Sequence, residues 1–324
     1  MTDFYWKTSL IVGGTLGVLK IGEELGAFYA DRFSKSWPHH IRMSCVRNEI
    51  AVYEQSGRGE SHGCVLLVHG MGNSSVSLVR LGEEIAKFTR GPVIRYDRPG
   101  YGASRFCTDE PYSVTQSVDE LVEMIRWLHE RCYQVTVVGH SYGGLLAHLA
   151  LMMLEEPDWC NAVLIEPSHL HEAVRDPKRI LGASLGIENL RNRHLLSPFG
   201  GELLDASIGP RACDGQRHPH IDAVRRERRS SRCMRATRRE FTTLARLLFD
   251  GIITQGPQAS ASVRVVTSAQ SVEDARQRDL FTAYVHYPED LITLEKTSHD
   301  TIILDRHAVE KIAQLVKGGD TNVA

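Results

Sequence analysis

A serine at position 141 stands in the run Gly139-His140-Ser141-Tyr142-Gly143-Gly144, directly after the apolar stretch Gln134-Val135-Thr136-Val137-Val138 and before a helix-like run from Leu145 to Glu155. A chain that leaves a strand and enters a helix at once crowds its own backbone, which is why Gly139 and Gly143 flank the serine. Such a turn holds the serine in a strained conformation and lifts its Oγ above the sheet edge. It also sets the next amide, that of Tyr142, at a helix N-terminus where it can face a developing oxyanion. The chemistry suited to this arrangement is nucleophilic attack on a carbonyl carbon. Serine is a weak nucleophile by itself, so a base, an acid to orient that base and a second oxyanion donor must come from elsewhere in the chain.

The neighbouring motifs offer these parts. Val65-Leu66-Leu67-Val68 reads as a short buried strand and runs into His69-Gly70-Met71-Gly72-Asn73-Ser74, a Gly-rich loop that lets backbone approach a reacting oxygen. The Met71 amide is the expected second oxyanion donor beside that of Tyr142. Val93-Ile94-Arg95-Tyr96 reads as a strand that ends in the rigid turn Asp97-Arg98-Pro99-Gly100-Tyr101-Gly102. Near the C-terminus, Leu291 to Glu295 reads as a strand leading into Lys296-Thr297-Ser298-His299-Asp300, then a helix from about Ile302 to Val316. Of 15 histidines, His299 is the candidate base, because it sits in the loop after the last strand, downstream of the serine.

These motifs together resemble the α/β-hydrolase superfamily over about residues 41–316, and most closely its esterase- and lipase-like members. The resemblance rests on the Asp97–Gly102 segment and on Gly-His-Ser-Tyr-Gly-Gly at the elbow. It implies a mostly parallel eight-stranded sheet with helices on both faces and a helical cap inserted after the sixth strand. It also implies Ser141 as nucleophile, His299 as base, and the Met71 and Tyr142 amides as the oxyanion hole. Serine rather than aspartate at the elbow argues against the epoxide-hydrolase and dehalogenase branches. The substrate is not specified by these motifs.

The acid departs from the commonest pattern. Most members of the superfamily place an aspartate a few residues past the strand that here is Val263-Arg264-Val265-Val266-Thr267, and Ser271 occupies that position in this chain. Glu273 and Asp274 follow, where acidic residues are ordinary partners of a helix start. The superfamily's other location is the end of the strand after the elbow helix, here Ala162-Val163-Leu164-Ile165, followed at once by Glu166-Pro167-Ser168. A carboxylate at a strand's C-terminal edge, fixed by a proline, is placed to orient an imidazole. Glu166 is therefore the expected acid, with Glu273 or Asp274 as the alternative.

Composition agrees with one globular unit. The 324 residues are 42% hydrophobic and 24% charged, and the net charge of −2 gives no global attraction to nucleic acid or membrane. Seven scattered cysteines, without a Cys-x-x-Cys pair or a Cys/His cluster at zinc spacing, fit reduced thiols, no metal and a cytoplasmic protein; Cys64 and Cys132 read as small core residues. No organic cofactor is implied, and the oligomeric state is left open. Strands and helices alternate from Ile41, with an opening hairpin of Ile41–Arg47 and Ile50–Glu54 and an amphipathic helix from Val114 to His129.

The division expected is an N-terminal segment over 1–40 and a hydrolase-type domain over 41–324, with the cap at about 168–256. Alternation stops in that insertion, whose stretch Arg217–Arg239 is strongly basic. It reads either as a solvated helix face or as a cationic rim for an anionic substrate. Phe241, Leu244, Leu247 and Leu248 follow at helical spacing. Leu10 to Leu19 is apolar but far short of the roughly 20 residues that span a bilayer. Residues 5–30 read as an amphipathic helix packed on the domain or lying weakly at a membrane surface, and less well as a cleaved signal. The function expected is a serine hydrolase acting on a small carboxylic ester or related acyl bond. The alternatives are thioester hydrolysis or acyl transfer by the same residues, or a non-catalytic ligand-binding protein of this fold.

Overall fold

β-Branched and leucine-rich runs bounded by turns make the strands, and two-faced helices cover them. The computed structural model describes residues 40–45, 48–59, 63–107, 112–154, 158–169, 221, 223–224, 227–228, 230–249 and 263–317. Within these the order is β1 His40–Cys45, β2 Asn48–Gln55, β3 Gly63–Val68, α1 Val79–Ala86, β4 Val93–Asp97, β5 Arg105–Phe106, α2 Val114–Cys132, β6 Gln134–His140, α3 Tyr142–Met153, β7 Cys160–Ile165, α4 Ser231–Phe249, β8 Val263–Ser268, α5 Ala269–Glu273, α6 Ala275–Thr282, β9 Leu291–Leu294 and α7 Arg306–Lys317. Eight strands lie in the order β1-β2-β4-β3-β6-β7-β8-β9, and the two-residue β5 pairs with β2 as a ninth. The hairpin β1/β2 and the β2/β4 pair are antiparallel, and every pair from β4 to β9 is parallel.

Period-2 alternation sorts the strand residues between two faces. Cys64, Leu66 and Val68 of β3, Val135 and Val137 of β6, and Ala162 and Leu164 of β7 point to one core, which α2 and α3 close with Leu121, Ile125, Leu145 and Leu146. Val65, Leu67, Val138, Val163 and Ile165 point to the other, closed by Leu81 and Ile85 of α1 and by Val309 and Ile312 of α7. Cys64 is buried in the first core and Cys132 packs half-buried against it. The start of α2 is set by a reciprocal cap: Ser113 Oγ accepts from the Gln116 amide at 3.1 Å, and Gln116 Oε1 accepts from the Ser113 amide at 2.8 Å.

The register aligns what leaves the sheet. Val68 pairs with Gly139 across β3 and β6, and His140 pairs with Ile165 across β6 and β7. The Gly-rich loop, the serine turn and Glu166 therefore emerge side by side at the C-terminal edge of adjacent parallel strands, where α/β sheets hold their ligands.

The last helix begins at Arg306, four residues later than its periodicity suggests. Asp305 Oδ1 accepts from the Ala308 amide at 2.9 Å and caps it there. Ile302, Ile303 and Leu304 instead make a turn that packs into the second core. The N-terminal segment through His39, with its apolar stretch, and most of the cap insertion lie outside the described residues. Among the described residues no helix is long and apolar enough to cross a membrane.

A Cβ on Gly143 would meet the Val68 carbonyl oxygen at 2.4 Å and that of His69 at 2.6 Å, contacts that backbone atoms cannot yield cheaply. Gly143→Ala is therefore expected to lower folding stability by about 3 kcal/mol or more, read as a fall in the urea-unfolding midpoint. An unchanged midpoint would show that α3 and β3 can separate without cost.

Candidate active site

The β6–α3 turn places Ser141 at φ 55° and ψ −122°, the left-handed side of the map that a residue with a Cβ avoids. Besides the bonds within α3, two backbone bonds to residues 165–168 hold it there. The Ser141 amide donates to the Ile165 carbonyl at 2.9 Å, and the Ser168 amide donates to the Ser141 carbonyl at 3.0 Å. Tyr142 is the first residue of α3, so its amide has no intrahelical acceptor. Gly70 of the Gly-rich loop lies against the turn, since a Cβ there would come within 3.2 Å of the Ser141 Cβ. Met71, the next residue, is half-buried against the first core.

Across the turn, His299 Nε2 stands 3.0 Å from Ser141 Oγ, and its Nδ1 stands 3.4 Å from Glu166 Oε2. The three sequence-predicted residues are thus brought into one line, although the second contact is longer than the 2.6–3.2 Å of a good hydrogen bond. The reason lies in Glu166 itself. Its Oε2 also accepts from the Ser271 hydroxyl at 2.7 Å, while Oε1 accepts from the Ser268 amide at 2.5 Å and the Thr267 hydroxyl at 2.9 Å. Glu166 also has positive φ, 47°. Its amide continues the β7–β8 ladder by donating to the Val266 carbonyl at 2.8 Å. Burial alone would raise the Glu166 pKa, but the bonds from His299, Ser268 and Ser271 outweigh it and hold the carboxylate down to about 2. Glu273 ends α5, and Asp274 caps α6 through the Arg276 amide at 2.9 Å; neither makes the contact to His299 that Glu166 makes.

His140, the residue before the serine, is buried and its Nε2 donates to the His299 carbonyl at 3.0 Å, which ties the base loop to β6. Burial, with the neighbouring His299 adding to it, lowers the His140 pKa to about 3, so it stays neutral. A cleft of about 540 Å³ opens over Ser141 and His299, walled by Pro167, Ser168, Gln270, Asp274, Gln277 and Ser298. Ser168 Oγ lies 3.5 Å from Ser141 Oγ.

A model of the alpha/beta hydrolase family matches residues 65–315, which contain the serine turn, the Gly-rich loop and the His299 loop. The chain belongs to that family. No curated protein matches it. Among solved structures, this hydrolase is similar to the Cif epoxide hydrolase from Acinetobacter nosocomialis, with 13% identity, a TM-score of 0.67 and 91% of this chain and 96% of the other covered. It is also similar to a thermophilic esterase from Thermogutta terrifontis, with 15% identity, a TM-score of 0.61 and coverage of 88% and 100%. A third is a membrane phospholipase A described as a bacterial virulence factor, with 16% identity, a TM-score of 0.58 and both chains covered completely. At these identities the likeness is one of fold.

Some of this hydrolase's site residues carry no signal in its sequence. Arg98 is fully buried and ion-paired through Nε to Glu240 Oε1 of α4 at 2.6 Å, a contact between residues 142 apart. Buried charge at Arg98 could be suspected from the turn motif, but nothing in the sequence points to its partner. The basic stretch divides. Arg228 bridges two active-site loops, with Nε donating to Asn73 Oδ1 at 2.7 Å and Nη2 to Asp300 Oδ1 at 3.2 Å. Arg239 lies over the Phe106 ring at 4.5 Å, while Arg232, Arg235 and Arg238 are exposed. Arg225, Arg226 and Arg229, and the side chains of Leu247 and Leu248, lie outside the described residues. On α4, Cys233, Met234, Ala236 and Glu240 face inward.

His140 and Glu166 contribute to the acid sensitivity of this hydrolase, with buried His69 and His148 held down by desolvation in the same sense as His140, and Glu120, pushed up to about 7 by burial, acting against them. Unfolded His140 takes up a proton near its ordinary 6.5 but folded His140 only near about 3. Unfolded Glu166 does so near 4.5 and folded Glu166 only near about 2. In both windows the unfolded chain binds more protons, so both contributions are complete at neutral pH. The first is lost as pH falls from 6.5 toward 3, the second from 4.5 toward 2. Urea-unfolding midpoints should drop across this range, and Glu166→Gln should flatten the lower part while leaving the decline that begins near 6.5. A Glu166→Gln protein whose midpoint falls below pH 4.5 as steeply as that of wild type would contradict the Glu166 assignment.

Proposed function

We propose that this hydrolase cleaves a carboxylic ester through an acyl-enzyme, with Ser141, His299 and Glu166 as its triad. The observation that carries the reading is the 3.0 Å approach of His299 Nε2 to Ser141 Oγ, with Glu166 behind the ring. The neutral imidazole carries its proton on Nδ1, facing Glu166, and presents Nε2 as the acceptor. His299 takes the Ser141 proton as Oγ forms its bond to the acyl carbon, and the carbonyl electrons move onto oxygen. The Met71 and Tyr142 amides face that oxyanion. When it collapses, the bond to the leaving alkoxide breaks and His299 donates the proton to it. Water, deprotonated by His299, then attacks the acyl-enzyme and Ser141 leaves with the proton returned. Glu166 keeps the ring oriented and stabilises its cationic form. Its low pKa supports this, since the carboxylate stays charged throughout the working range.

The likeness to epoxide hydrolases and to an esterase does not choose between ester and epoxide chemistry, because it is a likeness of fold. The serine at position 141 supports the ester reading. The non-catalytic alternative drew on the missing aspartate after β8, and the placement of Glu166 beside His299 weakens it.

A fluorophosphonate probe should label wild-type protein at Ser141 and not Ser141→Ala. On p-nitrophenyl esters, Ser141→Ala and His299→Ala should each lower kcat by about 10⁴-fold or more, and the double variant should be scarcely worse than either. Glu166→Gln should lower kcat by about 10²–10⁴-fold with a smaller change in KM. Undiminished turnover by purified Ser141→Ala would remove the serine from the mechanism.

A further inference from the structure

The loop assigned to the oxyanion hole is held from behind. Arg98 Nη1 donates to the His69 carbonyl and Nη2 to the Gly70 carbonyl at 3.1 Å. His69 adds to the grip. Its Nε2 accepts from the Arg98 amide at 3.1 Å, which leaves the ring proton on Nδ1 to bond the same Gly70 carbonyl at 2.9 Å. Every described peptide bond is trans, and in a trans peptide the carbonyl and the following N–H point in opposite directions. Whatever fixes the Gly70 carbonyl therefore fixes the direction of the Met71 N–H.

The guanidinium also lies over two aromatic rings, its carbon 5.2 Å from the centre of the Tyr142 ring and 5.4 Å from that of Tyr101. Arg98 and Glu240 are 1% and 2% exposed, so the cation depends on its partner for neutralisation. Glu240 binds Nε and Nη2 at 2.6 and 3.1 Å and accepts from the Tyr101 hydroxyl at 2.7 Å. That hydroxyl in turn accepts from the Gly72 amide at 3.3 Å.

We infer that Arg98 and Glu240 are positioning residues for the oxyanion hole: the guanidinium, neutralised by a carboxylate from α4, holds the His69 and Gly70 carbonyls and so aims the Met71 amide at the reacting oxygen. The inference rests on the serine-hydrolase reading above. It makes the seating of α4, an element of the insertion, a condition for turnover. Neither residue touches the substrate, so the effect falls on the transition state and not on ground-state binding.

The test pairs two variants that keep the site electrically balanced. Arg98→Met with Glu240→Met removes both charges and all bonds to the loop; replacing a buried ion pair with apolar side chains of similar size commonly preserves folding. Arg98→Lys keeps the charge opposite Glu240 but cannot reach two carbonyls with a planar fork. On p-nitrophenyl esters, the double variant should show kcat lower by about 10²-fold, with KM within about threefold of wild type and an intact unfolding transition. Arg98→Lys should fall between the two, and its fluorophosphonate labelling rate should fall in parallel. A merely structural ion pair would shift the unfolding midpoint and leave kcat of the folded protein alone. Wild-type kcat in the folded double variant overturns the inference, and so does wild-type kcat in Arg98→Lys should the double variant fail to fold. Wild-type protein that fluorophosphonate does not label at all would sink the serine reading and this inference with it; labelled wild type beside unaffected variants would sink this inference alone.

Discussion

The N-terminus of α3 can touch the end of β3 only because position 143 carries no side chain. Its Cα sits so close that an added carbon would fall 2.4 Å from the Val68 carbonyl oxygen. That contact brings the Gly-rich loop against the serine turn. The parallel register does the rest, since β3, β6 and β7 end at one level and lead directly into the Gly-rich loop, Ser141 and Glu166. The strain is concentrated in the same place. Of the four non-glycine residues with positive φ among the described residues, Ser141 and Glu166 lie in the site and Lys296 opens the loop that carries His299. Conformations of this kind cost about 1–3 kcal/mol each and persist only where packing on both sides over-determines them, as the two cores do here.

Charged side chains help to join the described part of the insertion to this frame. Glu240 enters from α4 to meet Arg98, and Glu227 accepts from the Gly102 amide at 2.9 Å within the turn that Asp97 organises. Asp97 receives the Tyr53 hydroxyl at 2.9 Å, the Ala103 amide at 2.9 Å and the Ser75 amide at 2.8 Å, and so links β2, its own turn and the oxyanion loop. Arg228 makes the second crossing, from the insertion to the loops of Asn73 and Asp300. Buried pairs of this sort add little net stability, but breaking one partner is costly, so they specify one docking arrangement over others.

What could be read from the sequence follows from where physical information is local. The elbow, the strands of the central sheet and the loop histidine are each announced by a few adjacent residues: the glycines around Ser141, the apolar run Val65–Val68, the position of His299 after β9. The placement of Glu166 was legible because a strand end followed by Pro167 is also a local pattern. Ser271 was legible only as a departure; that its hydroxyl would bind the relocated carboxylate needs the fold. Arg98 and Glu240 were invisible as a pair, because their meeting depends on how an insertion docks and not on any spacing. The helix expected from Ile302 begins later because three apolar residues gain more by filling the second core in a turn than by extending a helix past its Asp305 cap.

The order in which the parts occur along the chain has a consequence for synthesis. The Gly-rich loop, Arg98 and the serine leave the ribosome early, whereas Glu240 follows Arg98 by 142 residues and His299 follows Ser141 by 158. Until α4 arrives, Arg98 lacks the carboxylate that neutralises it in the folded chain. A nascent chain can therefore complete the turn that carries Ser141 before either Glu240 or His299 exists to meet its partner.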